Sequence, residues 1–202
     1  MRQHLLIISS LCIATSAFAA DNTFTGASVG LALGGSHNKV KFGGFINGKS
    51  ASDDDGVAKL SASYGWALSS DWVLNAGAEY TLNKQKFGST TYVSGGTQTV
   101  RFEMKDDWAV FLAPGYRIAP NSLVYGKLAY HQAKGHYNDT LPAVGDTTHN
   151  GFGYGLGYAY ALNRNVEISA EYNHIDYSRE SAVQSNGKPQ QDMLTVGVAY
   201  RF

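Results

Sequence analysis

Between Gly151 and Leu162 the chain reads GFGYGLGYAYAL. Phe152, Tyr154, Leu156, Tyr158, Tyr160 and Leu162 fall on one side of a period of two, and only Gly or Ala on the other. Successive side chains of a strand point to opposite faces. This stretch therefore reads as a strand, whereas a helix would scatter the six large groups around its circumference. One face of the strand is bulky and apolar, and the other is nearly bare.

The same alternation recurs along the chain. Ala27, Val29, Leu31 and Leu33 form one row; Ala58, Leu60, Ala62, Tyr64, Trp66 and Leu68 a second; Leu74, Ala76, Ala78, Tyr80 and Leu82 a third. Trp108, Val110, Leu112, Tyr116 and Ile118 follow, with an upstream extension through Val100, Phe102 and Met104 on the same face. Then come Val124, Leu128 and Tyr130, the Phe152 row, Val166, Ile168, Ala170 and Tyr172, and the terminal row of LTVGVAYRF: Leu194, Val196, Val198, Tyr200 and Phe202. Eight strands are expected. Their connections alternate between long polar segments (34–56, 83–98, 132–149 and 178–189) and short turns such as Ser69–Asp71. All long connections then lie at one end of an up-and-down meander.

The first residues, MRQHLLIISSLCIATSAFAA, carry a charge at Arg2, an apolar run from Leu5, and small Ala17 and Ala19 around Phe18. That pattern is a secretory signal, expected over 1–19 and removed, with the mature domain over 20–202. The run is too short to cross a bilayer as a helix, which takes about 20 residues. Cys12, the sole cysteine, goes with the signal, so no disulfide or thiolate chemistry is expected. Without Arg2 the chain has fifteen basic and sixteen acidic residues, a balance that argues against a nucleic-acid partner.

A closed eight-stranded sheet can carry its apolar face inside, as a soluble barrel does, or outside against lipid. Eight strands leave an interior just wide enough for side chains to fill. Turning Phe152, Tyr154, Tyr158 and Tyr160 inward from one strand would overcrowd it, so the large face is expected outside. The small-residue phase then carries Lys59, Glu79, Arg117, Lys127, Glu167, Glu171 and Arg201 into the lumen as a mixed charge network. Facing lipid at mid-membrane, Arg or Lys would cost about 2–4 kcal/mol. Trp66, Trp72, Tyr80, Trp108, Tyr116, Tyr130 and Tyr172 sit near strand ends, where aromatic girdles meet the headgroups. On this reading Leu156→Arg should block insertion and Gly155→Ala should be milder.

FTGASVGLALGG near the start, NVEISAEYNHIDYS in the seventh row and the terminal LTVGVAYRF carry a resemblance over the whole mature chain. It resembles the small outer-membrane β-barrels of the OmpA/OmpX and opacity-like type. The resemblance implies an all-β, eight-stranded transmembrane barrel in a bacterial outer membrane, with four extracellular loops and a periplasmic C-terminus. Leu194, Val196, Val198, Tyr200 and Phe202 would form the signal read by the outer-membrane assembly machinery. The implied partners are outer-membrane lipid, lipopolysaccharide and a host surface or matrix protein, for a monomeric, non-enzymatic protein.

Chemical sites were weighed against that reading. His174, Asp176 and Ser178 share one face near a strand end, but His174 and Ser178 are four residues apart, about 13 Å, too far for a direct hydrogen bond. Asp53–Asp55 lacks the spacing of a Ca²⁺ loop. His37, His131, His136 and His149 show no metal-ligand spacing. GFGYGLG lacks the third glycine of a phosphate loop. No cofactor or metal is expected. A narrow porin is the alternative function, and a hydrolase acting on lipid A or peptides the second alternative.

Overall fold

The computed structural model describes residues 23–44, 48–93, 96–139, 146–182 and 185–202; the expected signal over 1–19, with Cys12, lies outside the described residues. Among the described residues there is no helix. The strands are β1 (Gly26–Gly44), β2 (Ser50–Ala67), β3 (Trp72–Thr81), β4 (Gln85–Val93), β5 (Thr97–Ala119), β6 (Ser122–Asp139), β7 (Thr147–Ala161), β8 (Val166–Tyr177), β9 (Glu180–Ala182) and β10 (Ser185–Arg201). Neighbours pair antiparallel in the order β1-β2-β3-β5-β6-β7-β8-β10, and β10 returns to β1, so eight strands close a barrel. The closing register runs from Ser28 opposite Arg201 to Gly44 opposite Ser185. Of the remaining two, β4 extends the line of β3 along β5, and β9 is a short flap on β10.

The faces follow the alternation. Leu31, Leu60, Leu112, Leu128, Tyr154, Leu156 and Val196 are exposed on the outer wall, Leu156 at 69% and Val196 at 64%. Such a band costs free energy in water, at roughly 25 cal/mol per Å² of apolar surface, and is favourable only against lipid. Opposite it, small residues let the wall close tightly. A side chain on Gly155 would collide with the Tyr172 carbonyl and the Asn173 side chain. A Cβ there is therefore costly in its own right.

The long polar connections also differ from expectation. Segments 34–56, 83–98, 132–149 and 178–189 are largely strand: β1 reaches Gly44, β2 begins at Ser50, β4 occupies Gln85–Val93, β6 reaches Asp139 and β10 begins at Ser185. Crossing a bilayer takes about 9–11 residues of strand, and β5 has 23. The excess lies beyond the apolar band, where water replaces lipid outside. There the hydrophobic phase inverts. In β1 the outward residues change from Leu31 and Leu33 to His37, Lys39 and Lys41, while Val40 and Phe42 turn inward and are buried. In β8, outward Ile168 gives way to inward Ile175 and Tyr177.

β5 corrects another expectation. Val100, Phe102 and Met104 share the parity of outward Trp108, yet they are buried inside, Phe102 completely. The register against β6 slips by one residue between Lys105 and Trp108. This is a β-bulge with Asp106 at φ 53°, a left-handed conformation that Asp tolerates better than most residues. The extra residue sends Asp106 outward and Asp107 inward. A second irregularity, between Lys86 and Ser89, contains Gly88 at φ 90°, whose lack of a side chain lets β4 pack on the backbone of Ser52. That seats Phe87 in the interior.

Leu156→Arg is expected to lose the heat-modifiable, membrane-inserted form, because an arginine facing lipid at mid-membrane costs about 2–4 kcal/mol. Gly155→Ala should also impair folding. A normal inserted band for Leu156→Arg on a gel run with and without boiling would reverse the assignment of faces.

Candidate functional site

Inward positions on four strands bring four of the seven expected lumen charges to one level. Lys127 Nζ on β6 donates to Glu79 Oε2 on β3 at 2.6 Å and to Glu171 Oε1 on β8 at 2.9 Å. Lys59 Nζ on β2 donates to Glu79 Oε1 at 3.0 Å and lies 3.8 Å from Glu171 Oε1. The Tyr125 hydroxyl and Asn173 Nδ2 complete Glu171 at 3.0 and 2.7 Å. Two cations and two anions alternate in a neutral ring, with Lys59 and Lys127 each only 4% exposed. Buried charges are tolerable when paired and hydrogen-bonded in this way, and costly when one partner is removed.

The other three expected charges stand apart. Arg201 donates from one terminal nitrogen to both oxygens of Glu167, at 3.1 and 2.9 Å, and from the other to the Gly26 carbonyl at 3.0 Å. Arg117 lies at the short-turn end and donates to the carbonyls of Ser70 and Thr23 at 3.0 and 2.6 Å. It ties the turn between β2 and β3 to the start of the described chain and stays out of the central ring.

Further layers, which the sequence pattern does not reveal, lie above and below the ring. Toward the long-strand end, Asp107 accepts from Thr81 at 3.1 Å and lies 3.2 Å from His131 Nδ1. Next, Gln191 donates to Asn38 and Gln85 at 2.8 and 3.1 Å, and Ser36 donates to Gln85 at 2.7 Å. Over these sits a buried apolar cluster that includes Val40, Phe42, Phe87, Val100, Phe102, Ile175 and Met193. At the other end Phe24, Val73, Leu123, Ala159 and Ala161 form a smaller one. The ring therefore lies between two apolar plugs, beside a space of about 120 Å³. That is room for a few waters.

The seven expected girdle aromatics are exposed on the outer wall. Trp72 faces Tyr116 in register, ring centroids 5.2 Å apart, with Trp66 also near the short-turn end. Tyr80 faces Trp108 in register toward the long-strand end, and Tyr130 and Tyr172 are exposed on the outer wall. Trp108 and Tyr116 are eight residues apart on β5, about 27 Å of strand. Leu194, Val196, Val198, Tyr200 and Phe202 all face outward and are exposed.

Side chains weighed for catalysis or metal do not converge. His174 lies 2.8 Å from Asp192 and 3.4 Å from Asp176, while Ser178 Oγ accepts from the Asn150 amide. Burial acts to raise the Asp192 carboxyl, but hydrogen bonds from Tyr172 and His174 and the nearby imidazoles hold it below the ordinary aspartate value. Asp53 and Asp55 accept from backbone amides, and Asp54 pairs with His37 at 2.6 Å. His131, His136 and His149 have separate partners, Asp107, Asp146 and the Thr147 hydroxyl. Among the described residues no group of three His, Cys, Asp or Glu is placed to hold a metal.

Glu79→Gln leaves Lys59 and Lys127 short of negative charge. It should destabilise the barrel by about 3–5 kcal/mol, measured by urea unfolding in lipid vesicles. Adding Lys127→Met should recover part of that loss.

Comparison with known proteins agrees with the geometry. A 31 kDa outer-membrane immunogenic protein of Brucella melitensis is 27% identical over 179 residues, covering 81% of this chain and 68% of its own. Among solved structures, Ail, the attachment invasion locus protein of Yersinia pestis, shares the fold at TM-score 0.51 and 16% identity, over 88% of this chain and 100% of its own. OprG of Pseudomonas aeruginosa does so at 0.51 and 13%, over 90% and 98%. Residues 5–202 match the outer membrane protein beta-barrel domain, and the chain belongs to that family.

Proposed function

We propose that the chain is a non-enzymatic surface protein of the bacterial outer membrane, whose barrel anchors a rigid extracellular sheet used for adhesion to a host surface or matrix protein. The observation that carries this reading is the phase inversion. Beyond the lipid band the strands continue with an apolar filling inside and polar side chains outside. A filled interior offers a partner the outer face and the strand connections rather than a passage. The short turns and the C-terminus are assigned to the periplasm and the long-strand end to the exterior, where lipopolysaccharide surrounds it. In this reading the barrel works as a monomer, and the terminal aromatic row serves the assembly machinery. Transport is disfavoured because an eight-stranded lumen is narrow and here holds a neutral ionic ring, beside a space of about 120 Å³, between two apolar plugs. The names of the Brucella relative, an outer-membrane immunogenic protein, and of Ail, an attachment invasion locus protein, accord with exposure and adhesion.

Replacing segments 34–56, 83–98, 132–149 and 178–189 with those of a non-adhesive barrel should abolish bacterial attachment to matrix-coated surfaces while the protein remains inserted. Attachment that survives the exchange would defeat the adhesion reading. Planar-bilayer recording of the refolded chain should be silent, and steady ion conductance would favour the narrow porin.

A further inference from the structure

The outer part of the barrel is closed differently from the part in lipid. β2 pairs with β3 from Ala67, opposite Val73, as far as Lys59, opposite Thr81. Beyond that level residues 50–58 keep their pairing with β1, and β4 keeps its pairing with β5. Among the described residues no ladder joins β2 to β4.

Side chains bridge the gap instead. Asn83 accepts from the Ala58 amide at 3.0 Å and donates to the Gly56 carbonyl at 2.7 Å, and Gln85 donates to the same carbonyl at 3.0 Å. Asp55 Oδ2 accepts from the Lys86 amide at 3.1 Å, and Asn38 donates to the Lys86 carbonyl at 2.8 Å. Asn38 and Asp55 belong to the inward phase of β1 and β2, Asp55 standing opposite buried Ser36. β4 is therefore tucked behind the edge of β2, where Gly88 packs on the Ser52 backbone.

From there β4 sends one side chain into each layer that shuts the outer mouth. Gln85 accepts from Ser36 and Gln191 in the polar layer, and Phe87 packs edge-on against Phe102 in the apolar cluster, ring centroids 5.5 Å apart. Two breaks in regular structure stand at the foot of this piece. Asn83 and Lys84 separate β3 from β4, and the Asp106 bulge lies on β5 between Met104, opposite Gln85, and Trp108, opposite Tyr80.

We propose that β4 is a gate on the outer mouth: it swings away from β1 and β2 about these two breaks while it stays paired with β5, and withdraws Gln85 and Phe87 together. Segments held by side-chain contacts open locally at lower cost than segments within a continuous ladder. Opening lets water from outside reach Asp107, His131 and the ionic ring, which stays shut below. The other strands of the outer wall are paired on both sides or closed through β1 and β10, so adhesion by that face does not require the motion.

The test is thiol labelling of the refolded chain in lipid vesicles. Phe87→Cys and Ile175→Cys each place a thiol at a fully buried position of the same cluster, one on β4 and one on β8, which is paired with β7 and β10. A water-soluble maleimide should modify the first faster by about tenfold or more. Adding Asn83→Ala, which removes the bridges to Gly56 and Ala58, should speed labelling at 87 several-fold further and leave 175 unchanged. Because Phe87→Cys also removes a packed ring, hydrogen exchange is measured on the chain without either cysteine: Asn83→Ala should accelerate residues 85–93 and leave 166–177 unchanged. Each variant is first checked for the heat-modifiable band; if Phe87→Cys fails that check, the exchange measurement decides. Equal labelling at 87 and 175, an Asn83→Ala effect that spreads alike to β8, or no acceleration of residues 85–93 would overturn the gate.

Discussion

The pairing of β1 with β10 is the constraint on which everything else in this molecule rests. Hydrogen bonds from the first strand to the last leave no edge, and a sheet with an open edge has no place in hydrocarbon, because each unsatisfied backbone group there costs several kcal/mol. Once the ring is closed, inside and outside become distinct surfaces. The period of two then assigns every side chain to one or the other. Lys59, Glu79, Lys127 and Glu171 meet because four separate strands each point a small-phase residue to the axis at the same level. Their ring is a consequence of closure and also helps to hold it.

Closure alone does not say which surface should be greasy, since that depends on the solvent. Within the apolar band lipid is outside, so Leu156, Leu112 and Val196 face outward and charges stay within. A few residues farther along the same strands the outside is polar, and Val40, Phe42, Phe102 and Ile175 take the interior. The strands pass through this change of solvent in register, apart from the Asp106 bulge on β5 and the break between β3 and β4, where a further irregularity holds Gly88. A barrel built this way is plugged at both ends, with the ionic ring and a space of about 120 Å³ between the plugs.

Much of this is legible in the sequence, and the parts that are not have physical reasons. The long uniform alternations, such as the Phe152–Leu162 row, name the membrane strands and their faces, because a single hydrophobic phase persists over the whole crossing. The extended ends are harder to read. In HNKVKFGG the apolar residues are few and have changed phase, so a search for continuation of the Val29–Leu33 row sees only a polar loop. Parity counting places Phe102 on the wrong face because it carries through a bulge that sequence does not announce; the adjacent Asp106 and Asp107 are its local sign. The ionic ring was readable as a set of charges of the right parity, but its membership was not, since Arg117 sits close to the turn that it ties down.

Closure can be measured directly. In the folded chain Leu31 lies opposite Val198, close enough for a disulfide, which needs Cα atoms about 4.4–6.8 Å apart. The described residues contain no cysteine to compete. A chain carrying Leu31→Cys and Val198→Cys, inserted into lipid vesicles and oxidised, should form an intramolecular cross-link detectable as a gel shift and by mass spectrometry. A chain carrying Leu31→Cys and Leu156→Cys, which are not paired, should not. An inserted protein that fails to link 31 to 198, or that links both pairs equally, would contradict a sheet closed by its first and last strands.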